Sequence, residues 1–188
     1  MRSLYNKYVN FISNLGDIPL LGLRLLLAYA FYGPAMMKWG DMSSTIAWFG
    51  NPEWGLGLPF PTLNAYLAAT TEILGVWLLI FGFGTRIIAI PMFFTMIMAY
   101  VTVHSGHGWL AIGSADADPE IAERIGFARE ILKENGDYTW LTEKGSFVIL
   151  QNGAEFVVIY MIMLLTLMTF GSGRISLDHL IGKFTNKS

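Results

Sequence analysis

Four long apolar runs constrain this chain more than any other feature: residues 18–37, 62–82, 87–103 and 147–170. A helix rises about 1.5 Å per residue, so about 20 residues cross a hydrocarbon layer of roughly 30 Å. Lipid offers no partner to peptide N–H and C=O groups, so these runs are expected to be helices rather than open strands. None shows the period-2 alternation of a barrel strand. The third run is short and is expected to extend into its flanks. The fold class read from this is all-α: an integral membrane four-helix bundle, one domain over residues 1–188.

Composition narrows the function classes. Hydrophobic residues make up 54% and charged residues 14%, against about 25% charged in an ordinary soluble domain. A formal charge of −2 from 12 basic and 14 acidic residues gives no basic surplus for nucleic acid, so the bilayer is the expected partner. The chain has no cysteine, which excludes a thiol nucleophile, a disulfide and a thiolate-held iron–sulfur cluster. The first run follows Arg2 and Lys7 and contains Ala28-Tyr29-Ala30, features shared with a signal peptide. Arg24 interrupts any h-region and the apolar stretch continues, so the run is read as a retained span.

Orientation follows from Lys and Arg. The side holding both termini carries Arg2, Lys7, Arg86, Arg174, Lys183 and Lys187, and the opposite side Lys38, Arg124, Arg129, Lys133 and Lys144. Three of the latter lie in a long loop, beyond the reach of the rule, so both termini are expected to be cytoplasmic and the protein a multi-pass inner-membrane one. Trp39, Trp48, Trp54, Trp109 and Trp140 fall in the two outer loops, where indoles favour the membrane boundary. In the second outer loop Asp118-Pro119-Glu120 reads as N-cap, proline at N1 and an acid in the first turn. Ile121, Ile125, Ala128 and Leu132 then repeat at helical spacing until Asn135-Gly136, predicting a short amphipathic helix.

Ionisable residues inside the spans are the candidate site. Arg24, Ala28, Phe31, Ala35 and Lys38 form one stripe. Glu72 lies among Ala68, Ala69 and Gly75, which permit close helix approach. Glu155 continues a polar stripe from Gln151 through Ile159, Ile162, Thr166 and Thr169. All three stripes are expected to face the interior. Counting residues from the span ends matches Arg24 with Glu72 as an ion pair and sets Glu155 nearer Lys38 or His104. Arg24, Lys38, Glu72, His104, Gln151 and Glu155 are therefore the candidate intramembrane polar pocket. Two roles stand for it: a static pair that fixes helix register, or a site that handles protons, an anion or a quinone head group.

His104 and His107 lie three apart, but no third ligand or H-E-x-x-H motif accompanies them. Eight of the ten methionines sit in apolar helices as packing residues, so no metal site is expected. No nucleophile elbow, P-loop or Rossmann glycine pattern occurs, and no residue is assigned as catalytic.

At these residues the chain resembles the DoxX family of small four-helix membrane proteins. The likeness rests on Arg24 through Lys38, Glu72-Ile73-Leu74-Gly75 leading to Gly84-Thr85-Arg86, Val103-His104, and Gly173-Arg174-Ile175-Ser176-Leu177-Asp178. The segments 47–61, 140–142 and 145–153 are similar to an HvfX-type subgroup that accompanies maturation of copper-binding ribosomal peptides. That likeness implies an accessory membrane scaffold for peptide-modifying proteins or the copper-binding peptide, with Trp48, Trp54 and Trp140 as outer-face docking residues. Other DoxX relatives are tied to thiosulfate:quinone oxidoreductase or thiol-stress complexes, which implies a quinone-linked redox subunit, with quinone the candidate cofactor. Export of the peptide or a small ion is the third reading.

Overall fold

The computed structural model describes residues 2–185 apart from 115 and 117, and leaves aside the side chains of residues 2, 3 and 14. Lys187, counted above for orientation, lies outside the described residues. Two compact units are formed, Met1–Met98 with Ile159–Ser188, and Ala99–Val158.

The first unit opens with α1 (Arg2–Asn14) and α2 (Asp17–Gly40). Then come α3 (Met42–Gly50), α4 (Pro61–Phe81) and α5 (Thr85–Ala99). It closes with most of α8 (Glu155–Phe170) and with α9 (Leu177–Thr185). The core of this unit is the α2–α4 seam, where Ala28, Ala35, Ala65 and Ala69 are buried. Lipid is as apolar as the helices, so close packing of small residues holds such a seam. Gly75 serves the same end: a Cβ there would fall 2.4 Å from Met92 Sδ on α5. The predicted stripes of α2 and α4 do face inward, with Arg24, Ala28, Phe31, Ala35, Ala69, Glu72 and Gly75 all buried.

α3 was not anticipated. Asp41 caps it, accepting from Ser44 N at 3.0 Å and Ser43 Oγ at 2.7 Å. The loop that follows is bonded back onto the helix, with Leu56 N donating to Trp48 O at 2.8 Å and Leu58 N to Phe49 O at 2.8 Å. A Cβ at Gly55 would lie 1.9 Å from Trp48 O, so only glycine fits.

The second unit contains a π-helical turn Tyr100–His104 and a 3-10 turn Ser105–His107, which continue α5 as anticipated for the third span. β1 (Ile112–Gly113) pairs antiparallel with β2 (Ile149–Leu150), Ile112 opposite Leu150. α6 (Pro119–Asn135) has the predicted cap, Asp118 accepting from Glu120 N at 2.8 Å. Its buried face is shorter than predicted: Ile121 and Ile125 are buried, Ala128 is exposed. A short α7 (Tyr138–Thr142) follows.

The fourth span requires correction. Residues 147–154 are not helical, because Ile149 and Leu150 pair with β1 and the helix starts only at Glu155. Gln151 therefore does not share a helical stripe with Glu155. Ile159 and Ile162 are exposed, at 43% and 58%, while Val157, Leu164 and Leu167 face inward. Three helical stretches remain long and apolar enough to cross a membrane, Leu4–Gly40, Pro61–Phe81 and Thr85–His107, with the shorter apolar Glu155–Phe170 beside them in sequence. The chain is an all-α, multi-pass membrane protein.

Candidate functional site

Glu72 sits in the middle of α4 and is 3% exposed. Its partner is Lys38, near the end of α2, whose Nζ donates to Glu72 Oε1 at 2.9 Å and Oε2 at 2.7 Å. The Arg24–Glu72 pair expected from depth is not formed. The depth count assumed that spans one and two end at the same level, and they do not. Trp39 Nε1 donates to Ala69 O at 3.1 Å, which sets the end of α2 level with the third turn of α4. The first turns of α4 continue beyond that level and pack on α3, where a Cβ on Gly50 would meet Pro61 Cγ at 2.9 Å. Trp39 thus belongs to the last turn of α2 rather than to an outer loop.

Arg24 lies 14 positions before Lys38 on the same helix, about 21 Å away along the axis. It is 1% exposed and donates through Nη2 to Ile175 O at 2.5 Å. A Cβ at Gly82, whose φ is +64°, would fall 1.7 Å from Arg24 Nη1. Arg24 therefore ties the segment before α9 to α2 and packs closely against the α4–α5 turn. Asp178 completes that closure, accepting from Gly84 N at 2.7 Å and Thr85 N at 3.2 Å. Arg174 and Asp17 form an ion pair at the same end.

The remaining predicted pocket residues belong to the second unit. His104 Nδ1 lies 2.7 Å from Asn152 O, and Glu155 Oε2 accepts from Ala111 N at 3.2 Å. Both hold the loops on either side of the β1–β2 pair. Gln151 Oε1 is buried and has no hydrogen-bond partner among the described residues. Of the six predicted residues, the structure joins Lys38 to Glu72, gives Arg24 a structural role, and sets His104 and Glu155 on backbone groups.

The Lys38–Glu72 pair has chemical capacity. Two of the three ammonium N–H groups are spent on the carboxylate, and Lys38 retains 19% of its side-chain surface. A cation with a remaining donor, partly open and backed by a buried carboxylate, can hold an outside acceptor and exchange a proton with it.

The outer-face residues divide. Trp48 packs edge-on against Phe49 with ring centroids 5.5 Å apart, and Trp54 N donates to Asn51 Oδ1 at 3.2 Å. Their exposures are 37% and 60%. Phe60, in the left-handed region at φ 51°, leaves its ring 76% exposed. Trp140 lies in α7 of the second unit and is 69% exposed. The sequence singled out the indoles and missed Phe60; Phe60-Pro61 before an apolar run was the available signal.

Two known proteins are similar to this chain in sequence. An uncharacterized Haemophilus influenzae protein is 25% identical over 170 residues, covering 88% of this chain and 85% of that protein. A Bacillus subtilis protein named "Putative oxidoreductase CatD" is 34% identical over 87 residues, covering 46% of this chain and 60% of its own. No solved structure matches. The segment matched by the DoxX family, residues 19–105, runs from α2 through the Lys38–Glu72 pair to the end of the third span. Residues 19–105 of this membrane protein are thus similar to the DoxX family.

Proposed function

We propose that the chain is an inner-membrane accessory subunit of an oxidoreductase, with its termini in the cytoplasm, and that Lys38 and Glu72 bind and supply protons to a quinone head group. The observation that carries this reading is the buried carboxylate holding a partly open ammonium with one N–H left over. A quinone carbonyl is an acceptor of the kind that N–H would take, so the residues fit the group. When bound, a quinone supplies two-electron, two-proton redox chemistry. Lys38 would orient a carbonyl and give it a proton, which water at the open face of Lys38 would replace, while the Glu72 carboxylate would hold the ammonium in place. The chain has no cysteine to pass electrons, so the electron donor belongs to a partner protein. The name carried by the Bacillus subtilis relative supports an oxidoreductase setting.

The test is solvent extraction of the purified protein followed by ultraviolet spectroscopy. Wild type should yield quinone, and Lys38→Met, purified monodisperse, should yield markedly less. An extract of wild type without quinone would refute the redox reading.

The outer loop favours a second reading. Its backbone is bonded in place from Trp48 to Leu58 and presents Phe60 in a strained conformation that costs of order 1–3 kcal/mol. Rigid exposed aromatics suit docking of peptide-modifying proteins or of a copper-binding peptide, the role that the HvfX-type likeness implies. Retention of those proteins on the immobilised wild type, lost in Trp48→Ala, would support it.

A further inference from the structure

A groove of about 470 Å³ opens at the end of the first unit where α5 begins and α8 stops. Its walls include Arg86, His179, Ser172, Asp178, Ile87 and Phe170. Arg86 is exposed, and among the described residues it has no ion-pair partner. Its guanidinium lies across the bare backbone of Gly171, where a Cβ would fall 2.9 Å from Arg86 Nε and φ is +81°. Asp178 also faces the groove, but its two oxygens accept from Gly84 N and Thr85 N, so its charge is committed to the start of α5. Arg86 is thus the charged side chain there with donors left for a ligand.

The surroundings are apolar in a way that water would not favour. Ile87 is 75% and Phe170 71% exposed. On α9, Leu177, Leu180, Ile181 and Phe184 are 40%, 49%, 47% and 77% exposed, an apolar face for a helix lying in the membrane boundary. The groove therefore combines a cation at the depth where membrane spans end with walls suited to acyl chains. We propose that this groove binds the head group of an anionic phospholipid from the adjoining leaflet, Arg86 pairing with the phosphodiester and Ile87 and Phe170 contacting its chains. Planar, forked N–H donors match phosphate oxygens, and basic pockets on membrane helices recognise such head groups. A free phosphate shares the chemistry but has no use for the apolar walls.

Native mass spectrometry of the full chain released from detergent tests the assignment, with phosphatidylglycerol, phosphatidylcholine and inorganic phosphate as probes. Wild type should retain phosphatidylglycerol about tenfold more than phosphatidylcholine, and Arg86→Ala should lose about that factor, the worth of one hydrogen-bonded charge contact. Arg86→Lys should retain part of it, while Arg124→Ala, on α6, should match wild type. His179→Gln gives a second route to the groove and should show a smaller loss. Wild-type retention in both Arg86→Ala and His179→Gln would overturn the proposal. Displacement of the lipid by millimolar inorganic phosphate would overturn the lipid as the source of the anion.

Discussion

Removing Lys38 while leaving Glu72 in place is the most demanding test of the buried pair. In Lys38→Met the carboxylate loses donors at 2.9 and 2.7 Å and stays 3% exposed. Breaking a buried pair from one side costs about 3–5 kcal/mol, because the remaining charge has neither partner nor water. The 19% exposure of Lys38 admits some solvent, which favours the lower half of that range. Glu72→Gln is gentler: the amide oxygen still accepts one N–H and Lys38 can turn toward its opening, so a loss of about 1.5–3 kcal/mol is expected. In Lys38→Met with Glu72→Leu no charge is orphaned, and stability should return to within about 1 kcal/mol of wild type. The assay is thermal unfolding of detergent-solubilised protein, scored by the monodisperse fraction after heating. A double variant no more stable than Lys38→Met, or Glu72→Gln less stable than Lys38→Met, would refute the pair. An active double variant would confine Lys38 and Glu72 to structure and refute their role in handling protons.

Gly82→Ala should abolish the folded fraction in size-exclusion chromatography, since its Cβ would fall on Arg24 Nη1 at a positive φ, whereas Gly84→Ala, with open space at φ +58°, should lose only about 1 kcal/mol. The Asp41 carboxyl is lowered to about 2 by bonds from Ser44 and then Ser43. A depressed carboxyl stabilises above its unfolded value of 3.8 and loses that contribution as pH falls toward 2. Amide exchange at the start of α3 should therefore accelerate over that window, and Asp41→Ala should remove the dependence. Trp48→Ala and Trp54→Ala should leave membrane abundance near wild type on immunoblots while losing retention of peptide-modifying proteins; equal loss of both would make the outer loop merely structural.

The sequence made the spans legible because their length is set by lipid, and it made the buried stripes of α2 and α4 legible because charge and small residues shared one helical face. It failed where level mattered. The partner of Glu72 depends on how far α4 projects past α2, and that offset is set by α3. Asp41 followed by Ser43 and Ser44 was a readable cap for that helix, but a nine-residue segment next to a long apolar run is easily absorbed into a loop. The fourth span was overread for the opposite reason: Phe147 to Leu150 is apolar, yet Ile149 and Leu150 pair with β1. Short apolar runs do not declare their period, and only the pairing partner decides between helix and strand. Arg24 was rightly picked out as interior, but its acceptor is a carbonyl 151 residues away, a group every residue possesses and no sequence marks.

The late start of α8 has a consequence for the membrane itself. Its 16 residues extend about 24 Å, some 6 Å less than an average hydrocarbon layer. Hydrophobic mismatch of that size costs fractions of a kcal/mol per Å, or roughly 1–3 kcal/mol here. A bilayer meets a mismatch of this kind by thinning locally, by snorkelling of flanking residues or by helix association. A neighbour packed along α8 would relieve that cost. A membrane already thin would suit the chain better than a thick, stiff one.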